Sequence, residues 1–168
     1  MKTKHILPLA IGSYAIAMIL ANLSAATWGP KVTPINAFIL IGFDLTMRDW
    51  LHVRINARQM GALIGLTGLL TYVLNPSAGS IAIASATAFT AAAVVDWGVF
   101  STLKGSWWSR SNWSNVAGAA VDSMIFPLVA FGAFLPMIIA GQFAAKVLGG
   151  AVWGWVFMRM RKFMLHTL

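Results

Sequence analysis

The chain contains no cysteine and no glutamate, and only 10% of its 168 residues are charged, against about 25% in ordinary soluble domains. Without cysteine there is no disulfide, no thiolate nucleophile and no thiolate metal site. The three histidines, His5, His52 and His166, stand near predicted helix ends, so no Ser-His dyad sits deep in the chain. No glycine-rich phosphate loop and no metal-ligand spacing occurs, so no cofactor, resident metal or ATP hydrolysis is expected. Acidic charge is scarce: the four acids are Asp44, Asp49, Asp96 and Asp122, against 12 Lys and Arg.

What is abundant is hydrophobicity, at 59% of residues and a mean hydropathy of +0.78. A bilayer-spanning helix needs about 20 apolar residues, which predicts a single all-α integral membrane domain. Six spans are expected, roughly at 6–28, 33–53, 59–75, 79–103, 113–132 and 135–158. Gly29-Pro30-Lys31, Arg54 to Arg58, Asn75-Pro76-Ser77 and Gly132 to Pro136 separate them. Lys104 to Asn112 reads as the longest loop, with Trp107 and Trp108 as interface anchors. Residues 6–28 are too long for a usual signal-peptide core, so they read as the first span.

A net charge of +8 could suggest nucleic acid, but the cations stand singly or in pairs between apolar runs. Six spans place Lys2, Lys4, Arg54, Arg58, Lys104, Arg110, Arg159, Arg161 and Lys162 on the side of both termini, and Lys31 alone opposite. That asymmetry predicts a bundle with cytoplasmic termini and no nucleic-acid partner. Gly61, Gly65 and Gly68, and Gly150 with Gly154, permit close helix approach, within the monomer or in a homodimer.

Polar residues inside the spans carry the functional signal. An ionised group at mid-membrane costs at least about 2.5–3.5 kcal/mol, so each needs a partner or a cavity. Asp44 and Arg48 are four residues apart, as are Gln142 and Lys146; Asn115 and Asp122 lie seven apart on one helical stripe, with Gly118 and Ala119 between them. Asp96 stands beside Trp97, and Asn22 lies in the first span. Pairs such as Asp44–Arg48 or Asp122–Lys146 could be polar glue between helices. Four buried acids against Arg48 and Lys146 leave two carboxylates over, which points instead to a shared cavity. Trp97 and Phe43 could supply stacking faces beside carboxylates, a pairing suited to a planar nucleobase-like solute.

Gly42-Phe43-Asp44-Leu45-Thr46-Met47-Arg48-Asp49 resembles the second-span signature of short members of the vitamin uptake transporter, or queuosine precursor transporter, family. Ala84-Ser85, Ala88-Phe89, Asp96 and Val99-Phe100 are similar to its fourth span, Trp113-Ser114-Asn115 with Ala120-Val121-Asp122-Ser123 and Phe126 to its fifth, and Lys146-Val147-Leu148 to its sixth. The resemblance covers about residues 36–158 and implies a six-helix inner-membrane importer of 7-deazaguanine bases, the 7-cyano or 7-aminomethyl precursors of queuosine. It implies site roles for Arg48, Asp49, Asp96, Asn115, Asp122 and Lys146. Val53 and Ala93 stand where larger members carry Glu, and Asp44 where short relatives often have a small or hydroxyl residue.

The expected function is therefore a transporter, not an enzyme, whose small-molecule site draws on Asp44, Arg48, Asp49, Asp96, Trp97, Asn115, Asp122, Gln142 and Lys146. On hydrogen-bond inventory, the N–H and amine donors of a guanine edge suit Asp122 or Asp49, and its carbonyl suits Asn115, Gln142 or Lys146. The alternatives are a substrate-binding membrane subunit that needs an energising partner, as S-components do, and a small pore-forming or structural protein.

Overall fold

The computed structural model describes the backbone of residues 3–52, 54–105 and 107–166, and the side chains of these except 3–5, 49, 52, 107, 108, 111 and 160–166. All regular structure among the described residues is helical. In order these are α1 (Thr3–Trp28), α2 (Thr33–Asn36), α3 (Gly42–His52), α4 (Ala57–Leu74), α5 (Gly79–Thr102), α6 (Trp107–Phe131) and α7 (Pro136–His166). A π-helical turn, Ala37–Ile41, joins α2 to α3 without a break, and short 3-10 turns at Gly29–Val32 and Pro76–Ala78 precede α2 and α5.

The connections follow local chemistry. Gly29 adopts φ +70° ahead of Pro30, and Gly132 adopts φ +65° where its N–H caps the Leu128 carbonyl at 3.0 Å. Left-handed backbone at a helix end favours glycine. Helix α4 begins with a reciprocal cap: Gln59 N–H donates to Asn56 Oδ1, and Asn56 N–H to Gln59 Oε1, both at 2.9 Å. Asn75 Oδ1 accepts from the Ser77 N–H and hydroxyl, at 3.1 and 2.6 Å, closing the turn into α5.

Four described stretches have the length and hydropathy of a membrane crossing: Ile6–Arg48, Pro76–Thr102, Asn112–Phe131 and Pro136–Arg159. The first is 43 residues long and contains the first expected span and most of the second, as far as Arg48. It is a hairpin, because Asn36 Nδ2 reaches back to the Ala21 carbonyl at 3.2 Å and to Ser24 Oγ at 2.7 Å. Helix α4, the expected third span, is not among the four; Arg58 and Gln59 open it. The loop expected from Lys104 to Asn112 is shorter in the structure, since α6 already begins at Trp107. Trp107, Trp108 and Lys2 lie outside the described side chains.

Two kinds of packing hold the bundle. Large side chains fill one end, where Tyr14 and Met18 of α1 meet Met47 and Leu51 of α3 and Met60 and Leu63 of α4. Elsewhere backbones approach closely. Buried Ala84, Ala88 and Ala92 form a smooth stripe on α5, and a Cβ on Gly118 of α6 would stand 3.3 Å from the Ala92 carbonyl oxygen. The small residue Gly118 of the Asn115–Asp122 stripe therefore seats α6 on α5. Within the chain, close approach is made by glycines other than those expected. A Cβ on Gly42 would meet Gly149 at 2.6 Å, and one on Gly149 would collide with the Phe38 carbonyl, whereas Gly61, Gly65, Gly68, Gly150 and Gly154 face open space. Helices α3 and α7 thus cross at Gly42 and Gly149.

Candidate functional site

The side chains that face one another across the interior follow helical spacing. Met18, Asn22 and Ala25 come from α1; Thr33, Asn36, Ile41, Asp44 and Arg48 from the continuous helix α2 to α3. Helix α5 supplies Ser85, Phe89 and Ala92, α6 supplies Asp122 and Phe126, and α7 supplies Gln142 and Lys146. Steps of three or four residues keep each set on a single face. Helix α4 contributes nothing to this lining among the described residues.

The space between these side chains is narrow. About 40 Å³ is open to the centre of a water-sized sphere, room for roughly three waters. A bicyclic base requires the walls to part.

Lys146 organises one wall. Its side chain is 3% exposed and its ammonium lies 2.8 Å from Asp122 Oδ2. The same nitrogen donates to Ser123 Oγ at 3.1 Å and Gln142 Oε1 at 3.2 Å, so all three of its donors are used. Gln142 Nε2 donates to Thr33 Oγ1 at 2.9 Å, and that hydroxyl donates to the Pro30 carbonyl at 2.7 Å. A continuous polar chain therefore ties α6 and α7 to the tip of the α1–α2 hairpin. Asp122 is 16% exposed and lines the cavity, and its second oxygen has no hydrogen-bond partner among the described residues.

Asp44 and Arg48, each 2% exposed, form the other charged group. The Arg48 guanidinium lies 4.8 Å from the centroid of the Phe89 ring, and fully buried Tyr14 interacts with both charges. The ionisable residues among the described lining are thus two acids and two bases, with no net charge. Of the two further carboxylates expected at the site, Asp49 has a side chain outside the described residues and Asp96 lies apart from the lining. Asp96 is half-buried and outside the cavity lining; it faces Gly118 at the α5–α6 seam, and its Oδ1 has no hydrogen bond among the described residues. The side chain of Asp49 lies outside the described residues.

Five of the expected residues, Asp44, Arg48, Asp122, Gln142 and Lys146, therefore converge on one cavity. Asp96 and three others do not. Trp97 is 69% exposed on the outer face of α5; it is adjacent to Asp96 in sequence, but successive helical residues point about 100° apart. Asn115 is half-buried, outside the described lining, and its side chain is already engaged. Phe43 packs edge-to-face on Trp153 and Phe157 of α7, with centroids at 5.1 and 5.9 Å. Phe89 and Phe126 supply the cavity's aromatic faces instead.

Asn36, Thr33 and Ser85 join the site without being among the residues expected to form it, although the sequence does carry a signal for Asn36. It lines the same cavity as Asp44 and Arg48, and it is the one Asn between Pro34 and Asp44. The π turn at Ala37–Ile41 adds part of a turn between these residues, and Trp153 Nε1 donates to the Ile39 carbonyl within it at 3.0 Å. Turns of this kind are frequent at functional sites.

The family model described as "Putative vitamin uptake transporter" matches residues 8–160. No curated protein and no solved structure matches the chain.

Proposed function

The chain belongs to the vitamin uptake transporter family, and we propose that it imports a neutral, planar, nucleobase-like solute, specifically a 7-deazaguanine precursor of queuosine, across the inner membrane. The observation that carries this reading is the cavity itself. Its described charges are formally balanced, it is edged by Phe89 and Phe126, and it is bordered by Asp122, whose second carboxylate oxygen is unused among the described residues. A guanine-type edge presents adjacent N–H and amine donors, which a carboxylate accepts well. Lys146 and the Gln142 amine group are already spent within the wall, so they position Asp122 and do not contact solute directly. Phe126 is the stacking face, because Arg48 already covers Phe89.

The same reading takes all six helical rods as crossings, with both termini cytoplasmic. Helix α4 supports this. Leu66, Leu69, Leu70, Val73 and Leu74 are all exposed on it, and a continuous apolar face of this kind is stable against lipid and not against water. Import then requires the helices around the cavity to part alternately toward each side.

The test is uptake of labelled 7-cyano-7-deazaguanine by cells that lack both its synthesis and their own transporter, with queuosine in tRNA as readout. The wild-type chain restores queuosine, and Asp122→Asn, inserted normally, does not. Absence of queuosine with the inserted wild-type chain rejects the reading. Transport by the purified chain alone in liposomes separates a complete transporter from a binding subunit that needs a partner.

A further inference from the structure

Asn22 is a polar side chain, 3% exposed, toward the C-terminal end of the apolar helix α1. It lines the cavity from α1, on a different wall from Asp122 of α6. Its carbonyl oxygen is not free to turn: Ser85 of α5 donates its hydroxyl to Asn22 Oδ1 at 2.6 Å. That contact orients the amide, and Nδ2 is left with no hydrogen-bond partner among the described residues while bordering the cavity. An amide N–H that no protein group accepts from, on a residue lining a cavity, is completed by an acceptor on whatever enters that cavity. The adjacent hairpin residue Asn36 is oriented oppositely. Its Nδ2 is spent on the Ala21 carbonyl and Ser24 Oγ, at 3.2 and 2.7 Å, which leaves its carbonyl oxygen as the group with capacity to accept.

We propose that Asn22, oriented by Ser85, reads the ring carbonyl of the bound solute and selects a lactam edge over an amino edge. The inference rests on the reading of this cavity as a nucleobase-like site and adds to it the residue that decides between 6-oxo and 6-amino rings. A 6-oxo ring places an acceptor before the Asn22 amine. A 6-amino ring places a donor there, so that two N–H groups oppose each other in a buried site. Sites built to make a specific hydrogen bond reject the analogue that cannot complete it far more strongly than apolar sites reject a change in size.

Binding of guanine and adenine to the detergent-purified full chain, by calorimetry, provides the test. The wild type binds guanine at least about tenfold more tightly than adenine. Ser85→Ala, which keeps Asn22 but releases its amide to rotate, brings that ratio down toward one; Asn22→Asp, which replaces the donor with an acceptor, lowers it further. Thermal melting checks that both variants are folded, and Ser85→Ala carries the test if Asn22→Asp is not. An unchanged guanine-to-adenine ratio in folded Ser85→Ala overturns the assignment of Asn22 and leaves the transport reading standing. If the wild-type chain binds neither base, both fall together.

Discussion

Lys146 and Asp122 meet at 2.8 Å across the seam between α6 and α7, and the lysine spends its remaining donors on Ser123 and Gln142. A buried pair of this kind adds little net stability compared with well-packed apolar residues, but breaking it from one side leaves an uncompensated charge.

Lys146→Met is therefore expected to lower stability by about 3–5 kcal/mol, measured as a drop in melting temperature in detergent. Adding Asp122→Asn to that variant removes the stranded charge and recovers more than half of the loss. Uptake is not recovered, because the carboxylate acceptor is gone. Recovery of both would place Asp122 outside the solute site.

The α3–α7 crossing yields a second expectation. Gly149→Ala sets a methyl against the Phe38 carbonyl, and Gly42→Ala sets one against the Gly149 backbone. Backbone cannot yield as a side chain tip can, so each is expected to destabilise by about 1–3 kcal/mol or more. Gly61→Ala and Gly154→Ala meet open space and are expected to be neutral or slightly stabilising, by up to about 1 kcal/mol. Comparative melting of the four variants is the measurement.

Charge balance in the cavity bears on the choice of solute. Asp44, Arg48, Asp122 and Lys146 sum to zero among the described lining residues, so a cationic aminomethyl ring has no surplus acid to meet it. Competition against labelled 7-cyano-7-deazaguanine uptake is expected to show the aminomethyl form weaker by about tenfold, since a buried unpaired charge is penalised heavily. Equal competition contradicts a balanced site.

The aromatic residues separate cleanly. Trp97→Leu keeps an apolar side chain on an outward position, and uptake is expected to be unchanged. Phe126→Ala removes a ring from the cavity wall. Stacking contributes about 0.5–1.5 kcal/mol beyond area burial, so half-saturation of uptake is expected to rise several-fold or more.

Much of the site is legible in the amino-acid sequence because ionisable residues in apolar helices are expensive enough to be conspicuous. Asp44, Arg48, Asp122 and Lys146 stand out for that reason, and four-residue spacing correctly places Gln142 beside Lys146 on one face. Neutral polar residues send a weaker signal. Thr33, Asn36 and Ser85 occur in a chain with many Thr, Asn and Ser, most of them capping or bonding their own helix, and only pairing across helices distinguishes them. Adjacency in sequence misleads at Asp96–Trp97, where helical rotation turns the ring outward while its neighbour stays at a helix seam.

The amino-acid sequence by itself determined that this chain is helical, apolar enough to live in a bilayer, basic at its expected helix ends and provided with a few deep charges, since hydropathy and burial cost depend on residue type and local spacing. Tertiary structure alone decided which of those charges face each other. A helix offers every residue a direction, but whether Asp122 meets Lys146, or Gly118 is filled by Ala92 and not left open, depends on how one helix is rotated against the next. That rotation is settled by side chains distant in sequence, and it sets Asp44 and Asp122 in the cavity with Arg48 and Lys146 while Asp96 stays at a helix seam.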